Sequence, residues 1–231
     1  MKLEGEKKIR VACVGDSITR GTSGKSYPEY LQEFLGPEYE VMNFGVGGTT
    51  AQTGGYMRLP EIDGYNYAYV NQPEYRESLK SHPDIVIIMF GTNDSKMQNW
   101  YYDYDYKTPD KKCNRSKSEV FYNDYKALVQ KYIELDTHPK VIFATSCVVF
   151  GDWSSEERIL SGDHIIWQTA ENTVVPIERK IASELDVFLV DIYDITKNNK
   201  QNGIEQSLDG IHPDLAYDRI AEEFAKAIKL N

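Results

Sequence analysis

Residues 11–26, VACVGDSITRGTSGKS, hold two competing chemistries. The tail, Gly24-Lys25-Ser26, matches the end of a phosphate-binding loop, in which backbone N–H groups and a lysine cradle a nucleotide's phosphates. The head, Gly15-Asp16-Ser17, sets a hydroxyl directly after an apolar run, where it could attack an acyl carbon. The phosphate pattern has Thr19 where its leading glycine belongs, and Pro28 removes an N–H from the following turn. The serine reading needs a base, itself oriented by a third group. His82 and His138 each precede a proline ahead of a strand-like run, which suits turn residues at the amino ends of strands. His164 opens a helix-like segment as a cap or loop residue. His212 follows Asp209 by three residues in DGIHPD, and a tight turn could aim both side chains at one crevice. A surface turn capped by Asp209 would explain the same residues. A further glycine-rich stretch, GVGGTT at 45–50, has Thr50 in place of the last glycine of a dinucleotide loop, and no strand ending in an acid follows it.

Five apolar runs can carry such loops: 9–15, 39–45, 84–91, 140–150 and 187–194. The first, third and fourth are nearly continuous in apolar residues, the pattern of parallel strands buried on both faces. Helical spacing appears at 26–36 (Tyr30, Leu31, Phe34, Leu35), at 118–135, at 164–185 with a break or kink expected at Pro176, and at 214–230. Asp214 is expected as the N-cap or first-turn acid of the last helix, and Ser26 as a cap ahead of YPEY. Strands alternating with helices predict an α/β fold with helices on both faces of a parallel sheet, with ligands bound beyond the carboxyl ends of the strands. The chain reads as a single domain over 1–231, with insertions at about 94–117 and 151–163.

The 231 residues carry a formal charge of −10, which disfavours nucleic acid, anionic membranes and polyanionic substrates as partners. No apolar run approaches membrane-spanning length. Three cysteines without regular spacing give neither a disulfide framework nor a zinc site. Cys13 and Cys147 read as buried thiols, and Cys113 falls in a polar loop. The opening MKLEGEKKIR has no apolar core of a signal peptide, so a cytoplasmic location is expected, with a periplasmic or secreted one if the N-terminus is trimmed. Oligomeric state is not readable.

Four segments in order resemble the SGNH (GDSL-type) hydrolase family: GDSITRG (15–21), NFGVGGTT (43–50), GTND (91–94) and DGIHP (209–213). Ile18 replaces the usual leucine of the first block. The resemblance implies a three-layer α/β/α sandwich whose five-stranded, flavodoxin-like parallel sheet has the order 2-1-3-4-5. It implies Ser17 as nucleophile, His212 as general base and Asp209 as the orienting acid. It also implies an oxyanion hole built from the Ser17 N–H, the Gly48 N–H and the Asn93 amide. Gly48 is chosen over Gly47 because it lies five residues after Asn43. Neither a metal nor a cofactor is implied. Asp16 and Asp94 are expected to brace loops through backbone N–H groups, and Asp191 and Asp194 to be structural.

The resemblance further implies an ester substrate, and the family includes carbohydrate O-acetylesterases; the chain resembles the sialate and plant-polysaccharide members. The segment 94–117 sets Trp100, Tyr101, Tyr102, Tyr104 and Tyr106 among Asp103 and Asp105, aromatic faces beside polar groups that suit a sugar ring. Packing of this loop onto the domain would use the same residues. Trp100, Tyr101 and Arg20 are the candidate substrate contacts; Arg20 and Arg58 could equally be surface residues. Acetyl removal from a sugar is the expected reaction. A thioesterase or lysophospholipase on the same fold, and a nucleotide-binding protein using Lys25 and Ser26, are the alternatives.

Overall fold

Two runs of side chains leave every central strand in opposite directions, and each meets its own layer of helices. The computed structural model describes residues 7–53, 67–100, 117–151, 165 and 169–230. Five parallel strands, β1 (Ile9–Gly15), β2 (Tyr39–Gly45), β3 (Ile85–Met89), β4 (Lys140–Ala144) and β5 (Phe188–Val190), form one sheet in the order β2-β1-β3-β4-β5. Register is set at the centre by pairs such as Cys13 with Ile87 and Ile87 with Ile142. Val11, Cys13, Ile85, Ile87 and Met89 point to one face, and Ala12, Val14, Val86 and Ile88 to the other. That two-sided burial explains why these runs are continuously apolar rather than alternating.

The first face is covered by α2 (Tyr27–Leu35) and by a helix at Tyr217–Lys229, the eighth in chain order and hence α8. The second is covered by α5 (Lys117–Ile133) and α6 (Val175–Glu184), with α3 (Pro73–Lys80) at its margin. Short helices α1 (Ser17–Arg20) and α4 (Met97–Trp100) follow β1 and β3, and α7 (Ile192–Gln201) follows β5. The architecture is the three-layer α/β/α sandwich with order 2-1-3-4-5. Among the described residues no helix is long and apolar enough to cross a membrane.

Several elements differ from expectation. The run 187–194 is strand only to Val190, because Asp191 accepts the Asp194 N–H and starts α7. The run 140–150 leaves the sheet after Ala144, where the Thr145 hydroxyl donates to Asp191. Asp214 is not in the last helix, which begins at Tyr217. Its carboxylate instead accepts the Thr22 and Ser23 hydroxyls, each at 2.8 Å. Pro176 does not end the helical run but sits where its winding changes, in the first turn of α6. The turn before it, Ala170–Val174, is π-helical. Helices α3 and α7 are unheralded, α3 because it buries only Ser78 and α7 because it starts inside the run read as a strand. Ser26 does start α2, with the Glu29 carboxylate accepting both its N–H and its hydroxyl. His82 and His138 are turn residues with φ of 48° and 46°, at the amino ends of β3 and β4. Cys13 and Cys147 are buried free thiols. Arg58, Cys113, His164 and most of both expected insertions lie outside the described residues.

Candidate active site

Ser17 stands at the carboxyl edge of the sheet because β1 ends in a residue that lacks a side chain. A Cβ on Gly15 would lie 2.1 Å from Thr19 Oγ1 and 2.5 Å from the Met89 carbonyl oxygen. Only glycine lets α1 and β3 close in at that point. Asp16 then caps α1, its Oδ1 accepting the Ile18 N–H at 2.9 Å, and Ser17 becomes the first helical residue.

His212 arrives from 195 residues away on a turn built by Asp209. Asp209 Oδ1 accepts the N–H of Ile211 (2.9 Å) and of His212 (2.8 Å), while Oδ2 lies 2.6 Å from His212 Nδ1. Gly210 has φ of +84°, and its carbonyl accepts the N–H of Phe150 and of Gly151, tying the turn to the segment after β4. Buried Ile211 anchors it from below, among Val149, Ile165 and Ala170. His212 Nε2 is 2.9 Å from Ser17 Oγ. A carboxylate can only accept, so Nδ1 carries the proton toward Asp209, and the lone pair of a neutral ring at Nε2 faces the serine hydroxyl. Burial pushes the Asp209 carboxyl up, but the His212 ring and the two backbone N–H groups outweigh it and hold it below its ordinary value.

Two further loops face Ser17. Gly48 has φ of +80°, a left-handed conformation suited to glycine. A Cβ on Gly47 would lie 3.9 Å from Ser17 Cβ, so the bare face of that residue is turned to the serine. The N–H groups of Ser17, Gly47 and Gly48 meet no acceptor among the described residues. After β3, Gly91 (φ +118°) turns the chain so that Asn93 points back toward β1. Asn99 donates to the Asn93 carbonyl at 2.8 Å and fixes its backbone. The Asn93 amide nitrogen donates to the Thr49 carbonyl at 3.1 Å and to Asp16 Oδ2 at 3.3 Å. Asp94 braces the neighbouring strap by accepting the N–H of Ala51 and Gln52. Burial raises the Asp16 carboxyl to about 7 against the Ile18 N–H, and the Asp94 carboxyl to about 6 against the N–H groups of Gln52 and Ala51. Ser17, His212, Asp209, Asn93 and the 47–48 pair are therefore brought together.

The substrate contacts fare differently. Arg20 is exposed and flanks Ser17, with its Nη1 lying 3.4 Å from where a Gly47 Cβ would be. Trp100 packs edge-on against Phe121, ring centroids 6.1 Å apart, within the second-face cluster. Tyr101 lies outside the described residues. Lys25 pairs with Glu33 and sits over the Tyr30 ring, and Ser26 serves α2, so the residues of the phosphate-loop reading are spent on helix contacts. Asp191 and Asp194 both bind Arg179, structural roles as expected. Among the described residues no three His, Cys, Asp or Glu side chains are grouped to hold a metal ion.

Three contacts escaped sequence reasoning. Asn43 donates to the carbonyls of Thr19 and Arg20 and accepts the Gly45 N–H, stapling β2 to α1. Asp214 ties the loop after α1 to the turn that carries His212. Glu178 is fully buried, its Oε2 accepting the Ser146 N–H and its Oε1 turned to Gly91. The partners that join separate elements lie far away in sequence. The only local signal was a polar residue within or beside an apolar run.

A family model described as GDSL-like lipase/acylhydrolase matches residues 13–220. An acetylxylan esterase of Xylanibacter ruminicola is 28% identical over 243 residues, covering 97% of this chain and 44% of its own length. The chain thus spans less than half of that curated relative. A carbohydrate acetylesterase family member from Sinorhizobium meliloti superposes with a TM-score of 0.66 at 17% identity, covering 97% of this chain and 98% of that one. The acetyl xylan esterase AlAXEase superposes with a TM-score of 0.64 at 22% identity, covering 95% and 100%. These structural likenesses share the fold.

Proposed function

Because this chain belongs to the GDSL-like lipase/acylhydrolase family, we propose that it is a serine esterase removing a small acyl group, acetyl foremost, from a carbohydrate. The observation that carries the reading is the continuous line from Asp209 Oδ2 through His212 to Ser17 Oγ, with links of 2.6 and 2.9 Å. Ser17 Oγ bonds to the acyl carbon as its proton passes to His212 Nε2. The imidazolium so formed is stabilised by Asp209. The carbonyl oxygen becomes an oxyanion, for which the N–H groups of Ser17 and Gly48 and the Asn93 amide are the proposed donors. Collapse breaks the ester bond, and His212 returns the proton to the sugar oxygen. Water then attacks the acyl-enzyme, its proton going to His212, and the acid departs as Ser17 regains its hydrogen.

The carbohydrate and the acetyl group are supported by the relatives named above, two of them acetylxylan esterases by name. Arg20, beside Ser17, is the proposed sugar contact. Turnover of p-nitrophenyl acetate, of longer p-nitrophenyl esters, of acyl-CoA and of acetylated xylo-oligosaccharides tests the reading. Acetyl esters should be preferred and acetate released from the oligosaccharide. Ser17→Ala should lose all but a residue of activity. Near wild-type rates in that variant would overturn the mechanism, and a clear preference for long acyl chains or acyl-CoA would replace the substrate with that of a lipase or thioesterase.

A further inference from the structure

We propose that Asp16 is a positioning residue for the oxyanion hole, holding the Asn93 side chain in register with Ser17. The inference rests on the reading of Asn93 as an oxyanion donor. Asp16 is 2% exposed and its two oxygens serve different segments. Oδ1 takes the Ile18 N–H at 2.9 Å, fixing α1 and with it the Ser17 backbone. Oδ2 takes the Asn93 amide at 3.3 Å, and the second amide proton is available to the Thr49 carbonyl at 3.1 Å. The Asn93 carboxamide is therefore posed between α1 and residues 46–50, the two segments that carry the other proposed donors.

The choice of residue type points the same way. Capping α1 alone would be served equally by serine, threonine or asparagine. A buried carboxylate is costly unless both its oxygens are satisfied. Asp16 meets no cation within ion-pair distance among the described residues; the charges it feels come from His212, Asp94 and Lys96. What the carboxylate adds over a neutral cap is a second acceptor, and that acceptor faces Asn93. Its bond is the longer of the two on the amide, so it is the one released when a substrate oxyanion arrives. The Thr49 bond keeps the group in place meanwhile.

Asp16→Asn separates this role from capping. The asparagine carbonyl can keep the Ile18 N–H, but its own amide then opposes the Asn93 amide, donor against donor. We expect kcat to fall about 10- to 100-fold with KM little changed, the scale expected of a misplaced oxyanion donor. The melting temperature should not fall. Asn93→Ala alone should lower kcat on the order of 100-fold or more. In the Asn93→Ala background Asp16→Asn should cost less than about twofold, since residues acting through one another are not additive. Asp16→Thr, a second capping residue without the outer acceptor, should reproduce the kcat loss if the asparagine variant does not fold. Wild-type kcat in a folded Asp16 variant, or the same fold-loss with and without Asn93, would overturn the inference while leaving the esterase reading intact. A silent Asn93→Ala would remove the oxyanion assignment on which it stands.

Discussion

Asp209 does two jobs with two oxygens, and the separation of those jobs can be measured. Oδ1 builds the turn by taking the N–H groups of Ile211 and His212, and Oδ2 sets the imidazole tautomer. In Asp209→Asn the side-chain carbonyl can still build the turn, but the amide would donate to Nδ1. The ring proton would then sit on Nε2, where it cannot accept from Ser17. We expect kcat for p-nitrophenyl acetate to fall by a factor on the order of 10⁴, as a wrong tautomer costs in serine triads. Circular dichroism should show the fold intact. A variant retaining more than about a tenth of wild-type kcat would mean that the tautomer is not set by Asp209. At this scale the residues needed for a serine triad were visible in the sequence as types, because the chain has only four histidines and only one follows an aspartate by three residues. Their convergence was not visible, since nothing local relates residue 17 to residue 212.

The elements carry the geometry through close backbone approaches. The end of β2 rests directly on α1: a Cβ on Gly45 would meet the Arg20 backbone nitrogen at 2.2 Å and the Thr19 carbonyl carbon at 2.8 Å. Backbone atoms cannot rotate aside as a long side chain can. Gly45→Ala should therefore push α1, and Ser17 with it, away from β2. Overpacking of this kind costs about 1–3 kcal/mol, measurable by urea unfolding, and a shift of roughly 1 Å at a nucleophile can lower turnover 100-fold. Wild-type stability and turnover together in that variant would show that the β2–α1 contact does not position the serine. Strands β1 and β2 were legible with their observed limits because both stop at glycine. Asp191 closed β5 earlier than hydropathy suggested, since a side-chain cap outweighs two more apolar residues. Helix α3 was missed because only Ser78 of it is buried, and α7 because its first apolar residues, Ile192 and Tyr193, extended the run read as a strand.

Across the whole molecule, buried acids set the response to pH. Burial holds Asp16 near 7 and Asp94 near 6, and lifts Glu178 well above its ordinary range. An acid whose folded pKa is raised binds more protons folded than unfolded, so its stability contribution falls as pH rises from the unfolded value to the folded one. Asp209, Asp191, Glu29 and Glu184 are depressed and act oppositely, their contributions being lost as pH falls through their low folded values. The charge of −10 adds self-repulsion at neutral pH that eases toward the pI of about 5.0. The melting temperature should therefore rise as pH is lowered from 8 to about 5.5 and fall again below about 4. A melting temperature that is flat or climbs between pH 5.5 and 8 would contradict the burial of these carboxyls. Asp16→Asn should flatten the upper part of the profile.

The sequence by itself determined the layered fold and the residue types of the site. Continuous apolar runs of strand length read as strands buried on both faces, and three of the four short blocks stand where strands end, while DGIHP stands in the loop before the last helix. The resemblance of four ordered blocks to the SGNH hydrolases also favoured the serine chemistry of residues 11–26 over the phosphate loop. Tertiary structure decided what those polar residues hold. It set Asp16 against Asn93, Asn43 across β2 and α1, and Asp214 on Thr22 and Ser23, so the middle of the opening loop serves as a tie to the turn that carries His212. Hydropathy records which residues must leave water, and so it predicts layers. Hydrogen bonds between loops depend on angles and distances of a few ångströms, which exist only after the sheet has set every loop at one edge.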